Sequence, residues 1–93
     1  MEAGDDPVVL KLAHYLTTVF RERTGVDPSH DPVAWEKVLR AARQARRQLA
    51  RSAAYNVSLP FLVRGSEGPL HLDVVITQHQ FLELMMGEGP RED

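Results

Sequence analysis

Five arginines, Arg40, Arg43, Arg46, Arg47 and Arg51, fall within a stretch of twelve residues that contains no acid. Arginine presents a planar, permanently charged fork of donors, so a row of them suits anionic or planar partners such as phosphates, carboxylates and bases. Arg43, Arg46, Arg47 and the position of Ala50 are spaced i, i+3, i+4, i+7, which at about 100° per residue shares one side of a helix. Arg43/Arg47 and Arg47/Arg51 are like charges at i, i+4, each costing roughly 0.2–0.5 kcal/mol. That cost is too small to require a partner. Three destinations for the face stay open on spacing alone: water, an anion or nucleotide, and nucleic acid.

The segment carrying them, Asp31 to Arg51, must be a helix for this to hold. Asp31 can cap free backbone N–H groups, and Pro32 is tolerated in a first turn. Trp35, Val38, Ala42, Ala45 and Leu49 recur at steps of three and four and form an apolar stripe, with Trp35 expected in the core.

Ninety-three residues, 43% hydrophobic and 26% charged, describe one small globular domain with little stability to spare. The formal net charge of −2 makes the arginine helix a local feature, which argues against nucleic acid as the partner. The absence of cysteine removes disulfides and thiol chemistry and fits a reducing compartment. No apolar run approaches a membrane span, and the acidic start Met1-Glu2-Ala3-Gly4-Asp5-Asp6 does not read as a signal peptide. A cytoplasmic domain without a membrane partner is the expectation.

In chain order, Asp6 and Pro7 read as the cap and first position of a helix that buries Val9, Leu12, Leu16, Val19 and Phe20. Gly25 closes it, with Arg21 and Arg23 at its negative end. The loop Val26–His30 leads to the central helix. From Tyr55 the period becomes two: Tyr55, Val57, Leu59, Phe61 and Val63 should face inward, and Pro60 requires an edge or a bulge. After a turn at residues 65–69, Leu70, Leu72, Val74 and Ile76 return as a second strand. Thr77-x-x-Gln80 has the form of a capping box opening a short third helix with Phe81, Leu82, Leu84 and Met85. The predicted fold is α+β: two helices, an antiparallel β-hairpin whose apolar face lies on them, and a C-terminal helix, in the order α-α-β-β-α. Residues 87–93 read as a polar, disordered tail. An unprotected hairpin edge could pair with a second copy of the chain.

Enzyme chemistry finds no foothold. His14, His30, His71 and His79 are not spaced as metal ligands, no nucleophile–base arrangement stands out, and Gly65-x-x-Gly68 joins two strands, where a phosphate loop would join strand to helix. The chain alone is not expected to be an enzyme.

The chain nevertheless resembles a known family. Gly4-Asp5-Asp6, Thr24-Gly25-Val26-Asp27, Asp31-Pro32, Ala41-Ala42 with Ala45-Arg46 and Leu49, Val57-Ser58-Leu59-Pro60-Phe61, Gly68-Pro69-Leu70-His71-Leu72, and Ile76-Thr77 with Phe81-Leu82-Glu83-Leu84 are similar to a consecutive stretch of the DnaK (heat-shock seventy-kilodalton) chaperones. The likeness covers residues 4–86 and corresponds to subdomain IIB of the ATPase domain. It implies a lobe that closes over the adenosine of ATP or ADP, whose magnesium is held elsewhere in the parent ATPase. It also implies two partners: the rest of the ATPase domain and a GrpE-type nucleotide exchange factor. Family members carry Glu, Lys, Arg and Ser on this helix, the first pair toward the ribose and the second lining the adenine. Those positions hold Arg43, Arg46, Arg47 and Ala50, so the resemblance points to the same four residues as the spacing. Arg43 for Glu removes an acceptor for the ribose hydroxyls, and Ala50 removes a hydroxyl. These departures keep an alternative in view: an interaction module that retained the fold and lost the nucleotide.

Overall fold

The computed structural model describes residues 7–86. Helix α1 (Pro7–Thr24) is followed by a 3-10 turn (Pro28–His30), helix α2 (Pro32–Leu49), strands β1 (Ala54–Gly65) and β2 (Gly68–Thr77), and helix α3 (Gln78–Met86). The order and the α+β class are those read from the periodicity. Asp6, the expected first cap, and the expected tail lie outside the described residues.

Local chemistry sets the boundaries. Gly25 takes a left-handed φ of 81°, and its N–H reaches Arg21 O at 2.7 Å. Thr24 Oγ1 donates to Phe20 O and accepts from Val26 N–H, which turns the chain away from the helix axis. Asp27 caps the 3-10 turn by accepting from Ser29 N–H (2.9 Å) and Ser29 Oγ (2.6 Å). Asp31 then caps α2 through Val33 N–H at 3.0 Å and Ala34 N–H at 3.4 Å, with Pro32 at the first helical position. The capping box of α3 is reciprocal: Thr77 N–H donates to Gln80 Oε1 (2.9 Å) and Gln80 N–H to Thr77 Oγ1 (3.1 Å).

Helix α2 stops at Leu49, short of Arg51. The N–H groups of Arg51 and Ser52 fold back onto Gln48 O, and Gln78 Nε2 takes Leu49 O at 2.9 Å. Gln78 N–H also bonds Ala53 O at 2.7 Å, so the start of α3 fastens the end of α2. Ala50 is consequently a cap residue outside the last helical turn.

The core is one cluster. Leu12, Ala13, Leu16 and Phe20 of α1 meet Ala34, Val38, Ala42, Ala45 and Leu49 of α2, and Val57, Leu62, Leu72 and Ile76 close it from the hairpin. Three alanines on α2 let the helices approach closely, and the larger side chains fill the space above the hairpin. Trp35 departs from expectation. It is half-buried, at the edge of the cluster, with its ring 5.8 Å from that of His14. Ala34 occupies the buried position instead. The stripe holds at Val38, Ala42, Ala45 and Leu49 and differs only in the first turn, where a helix face that must lie close to α1 selects the small residue.

Phe61 also departs. The ladder runs in register from Ala54↔Thr77 to Leu59↔Leu72, resumes at Val63↔Leu70, and is shifted between Leu59 and Val63. The extra residues reverse the alternation, so Leu62 is buried while Phe61 is 50% exposed with a φ of 55°. Pro60 sits inside this irregularity, where its missing N–H breaks no ladder bond. The turn is tighter than expected: Gly65 pairs with Gly68 and only Ser66 and Glu67 protrude, with Gly68 at a φ of 131°.

Two expected outcomes follow from burial and capping. Leu49→Ala should destabilise the chain by about 2–5 kcal/mol in chemical denaturation, and half-buried Trp35→Ala by clearly less. The hydroxyl and N–H of Ser29 hold the Asp27 carboxyl below its ordinary 3.8, with His30 and Arg21 assisting. Because that value is depressed in the folded state, its stabilisation is present above the unfolded value and is lost as pH falls through the folded one, below about pH 4. Ser29→Ala removes the largest contribution and should move the Asp27 carboxyl titration upward, as read by carbon-detected NMR.

Candidate functional site

A cleft of about 540 Å³ opens between one flank of α2 and β1. Lys37, Arg40, Ala41, Arg43, Gln44 and Arg47 form its helix wall; Tyr55, Val57, Ser58 and Leu59 form its strand wall. No acid lines it. Lys37, Arg40, Gln44 and Arg47 follow steps of three, four and three, so they make one continuous row along the flank.

Of the four sequence-selected positions, Arg43 and Arg47 reach this cleft, whereas Arg46 and Ala50 lie off its walls and are exposed. The separation follows from helix geometry. At about 100° per residue, Arg46 sits about 60° to one side of Arg43, whereas Arg40 and Gln44 sit about 60–100° to the other. Arg43 and Arg47 therefore form a ridge, with the cleft on one slope and Arg46 on the other.

The ridge is held electrostatically. Arg43 Nη1 lies 3.9 Å from Glu36 Oε2, a partly exposed pair, and Arg47 Nη2 donates to Gln44 Oε1 at 2.7 Å. Such exposed contacts orient the side chains more than they stabilise the fold. Lys37 Nζ donates to Phe61 O at 3.3 Å and ties the helix flank to the bulge of β1. The remaining residues were legible only in part. The Lys37–Arg47 row is present as a spacing, but the run of arginines at 43, 46 and 47 points to the other slope. Tyr55 and Ser58 join the site only because β1 lies beside α2.

The histidines stay apart. His14 faces Trp35, His30 lies 3.7 Å from Asp27 and His79 3.3 Å from Glu83. Among the described residues no three His, Cys, Asp or Glu side chains converge, so these residues offer no cage for a metal ion. No described helix is long and apolar enough to cross a membrane.

With this geometry in hand, comparison with known families decides the relationship: the family model described as Hsp70 protein matches residues 2–87. The chain belongs to the Hsp70 family. This is a family of ATPase chaperones whose full-length members bind ATP or ADP with magnesium and work with nucleotide exchange factors. In this Hsp70 chain the match takes in α1 through α3 entire, so the arginine ridge and the cleft both lie within the matched residues.

The Lys37–Phe61 contact can be tested directly. Lys37→Met keeps the aliphatic stem and removes the donor, and should cost at most about 1 kcal/mol for this solvent-accessible bond. Amide hydrogen exchange of Phe61, Leu62 and Val63 should accelerate, while that of α1 stays as it was.

Proposed function

We propose that residues 4–86 are the adenosine-side lobe, subdomain IIB, of a DnaK-type Hsp70 ATPase domain. The observation that carries this reading is the family match across the whole helix–helix–hairpin–helix unit, together with the cationic ridge on α2. In this role the lobe closes over ATP or ADP bound by the rest of the ATPase domain. A GrpE-type exchange factor docks on it to open the cleft again, and the protein acts in the cytoplasm. Residues 87–93 lie beyond the lobe.

Four positions would meet the nucleoside. Arg47 offers a planar guanidinium that can stack on adenine. Arg46 supplies a cation toward the ribose, with Arg43 and Ala50 beside it. Arg43 cannot accept from the ribose hydroxyls, being a donor only, and the carboxylate it pairs with, Glu36, lies about two turns earlier on α2. Adenosine recognition in this chain therefore leans on stacking and charge more than on hydroxyl acceptance. The group that carries catalysis and the ligands of magnesium belong to other parts of the ATPase domain, so this lobe moves and grips without reacting.

Arg43 and Ala50 favour one competing reading, an interaction module that kept the fold and gave up the nucleotide. Titration of the chain with ADP, followed by amide NMR, separates the two. The lobe reading expects weak, saturable shifts centred on Arg46, Arg47 and Ala50, strengthened in the double variant Arg43→Glu/Ala50→Ser, which restores the ribose acceptor and the adenine hydroxyl. Shifts elsewhere, or none in the restored variant, would favour the module.

A further inference from the structure

We propose that the cleft between α2 and β1 takes an extended acidic peptide segment of another protein, which adds as a third strand to the outer edge of β1. Val57, Ser58 and Leu59 are consecutive, and all three line the cleft. Successive strand residues point to opposite faces, so a wall made by three in a row is the edge of the strand, not one of its faces. Among the described residues β1 pairs with β2 alone, and alternate residues of such a strand turn their N–H and C=O groups away from the existing partner. The edge is regular from Ala54 to Leu59 and ends at Pro60 and the bulge, which limits the added strand to a short segment.

Charge selects the occupant. Lys37, Arg40, Arg43 and Arg47 stand across from this edge with no acid among the lining residues. They extend about 15 Å along the helix at 1.5 Å per residue, the length of about five residues of strand at 3.3 Å each. An incoming strand with carboxylates at alternate positions would present them to the helix, on the sheet face that carries Tyr55, Val57 and Leu59, while its other side chains lie on the opposite face beside exposed Asn56 and Ser58. A second copy of this chain would bring the same cations against each other, which disfavours edge-to-edge pairing of two copies. Single-stranded nucleic acid supplies anions but no peptide ladder. The cleft shares Arg43 and Arg47 with the proposed nucleoside contacts, whereas Lys37 and Arg40 belong to the cleft alone, so variants at those two positions separate this inference from that reading.

The probe is a fluorescein-labelled peptide of about eight residues with alternating Val and Glu, titrated into the full 93-residue chain by fluorescence polarisation. Two controls keep the charge: the same peptide N-methylated at its four central amides, and an oligothymidine of matched charge. The alternating peptide should bind and shift the Val57, Ser58 and Leu59 amides, and N-methylation should weaken it about tenfold or more. Lys37→Glu/Arg40→Glu should also weaken it about tenfold, and exposed Arg40→Glu alone by severalfold, with circular dichroism confirming the fold of each variant. Equal binding of the methylated peptide, equal binding of oligothymidine, or shifts that spare β1 would overturn the proposal. So would a dimer in light scattering that excludes the peptide.

Discussion

The structure depends on one buried seam. Ala34, Val38, Ala42, Ala45 and Leu49 of α2 are each almost fully removed from solvent, against α1 on one side and the hairpin on the other. A fully buried Val or Leu contributes roughly 1.5–3 kcal/mol, comparable with a sizeable fraction of the stability of a domain this small. A two-stranded hairpin is marginal in water, so its order is borrowed from the seam through Val57, Leu62, Leu72 and Ile76. Gln78 then locks the arrangement by taking the last carbonyl of α2 and the backbone before β1.

The same seam orients the polar surface. Fixing the buried side of α2 leaves the arginines only the opposite half of the helix, and Arg47 stands almost directly across from the core. Arg43 and Arg47 become a ridge because both flanks are spoken for, one by β1 and one by the slope that carries Arg46. The clustered like charges cost a few tenths of a kcal/mol for each i, i+4 pair, small beside the burial beneath them. This Hsp70-family chain can therefore carry Arg43 on the ridge without disturbing its fold. The charge pattern of the ridge and the packing of the seam are physically independent.

One polar group breaks the pattern of satisfied bonds. Thr17 is buried on α1, and its hydroxyl has no hydrogen-bond partner among the described residues. Its methyl group fills space among the core residues while the hydroxyl is carried along, a modest penalty relative to the isosteric valine. Phe61 is the corresponding backbone irregularity: an aromatic residue at positive φ, held by the shifted ladder and by Lys37 on its carbonyl oxygen.

The amino-acid sequence by itself determined the elements, because their signals are local. Asp31-Pro32, Gly25, the Thr77/Gln80 box and the change of period at Tyr55 act within a few residues of where they stand. The relation of Arg43, Arg46, Arg47 and Ala50 to one helix side was legible for the same reason. Tertiary structure alone decided three things. Trp35 yields the seam to Ala34 because two helices must touch, Phe61 turns outward because the ladder slips by Pro60, and α2 ends at Leu49 because Gln78 arrives from the start of α3. It also decided that Arg43 and Arg47, but not Arg46, share a cleft with Tyr55 and Ser58. Periodicity gives angles around an axis; only packing says which neighbour stands at each angle.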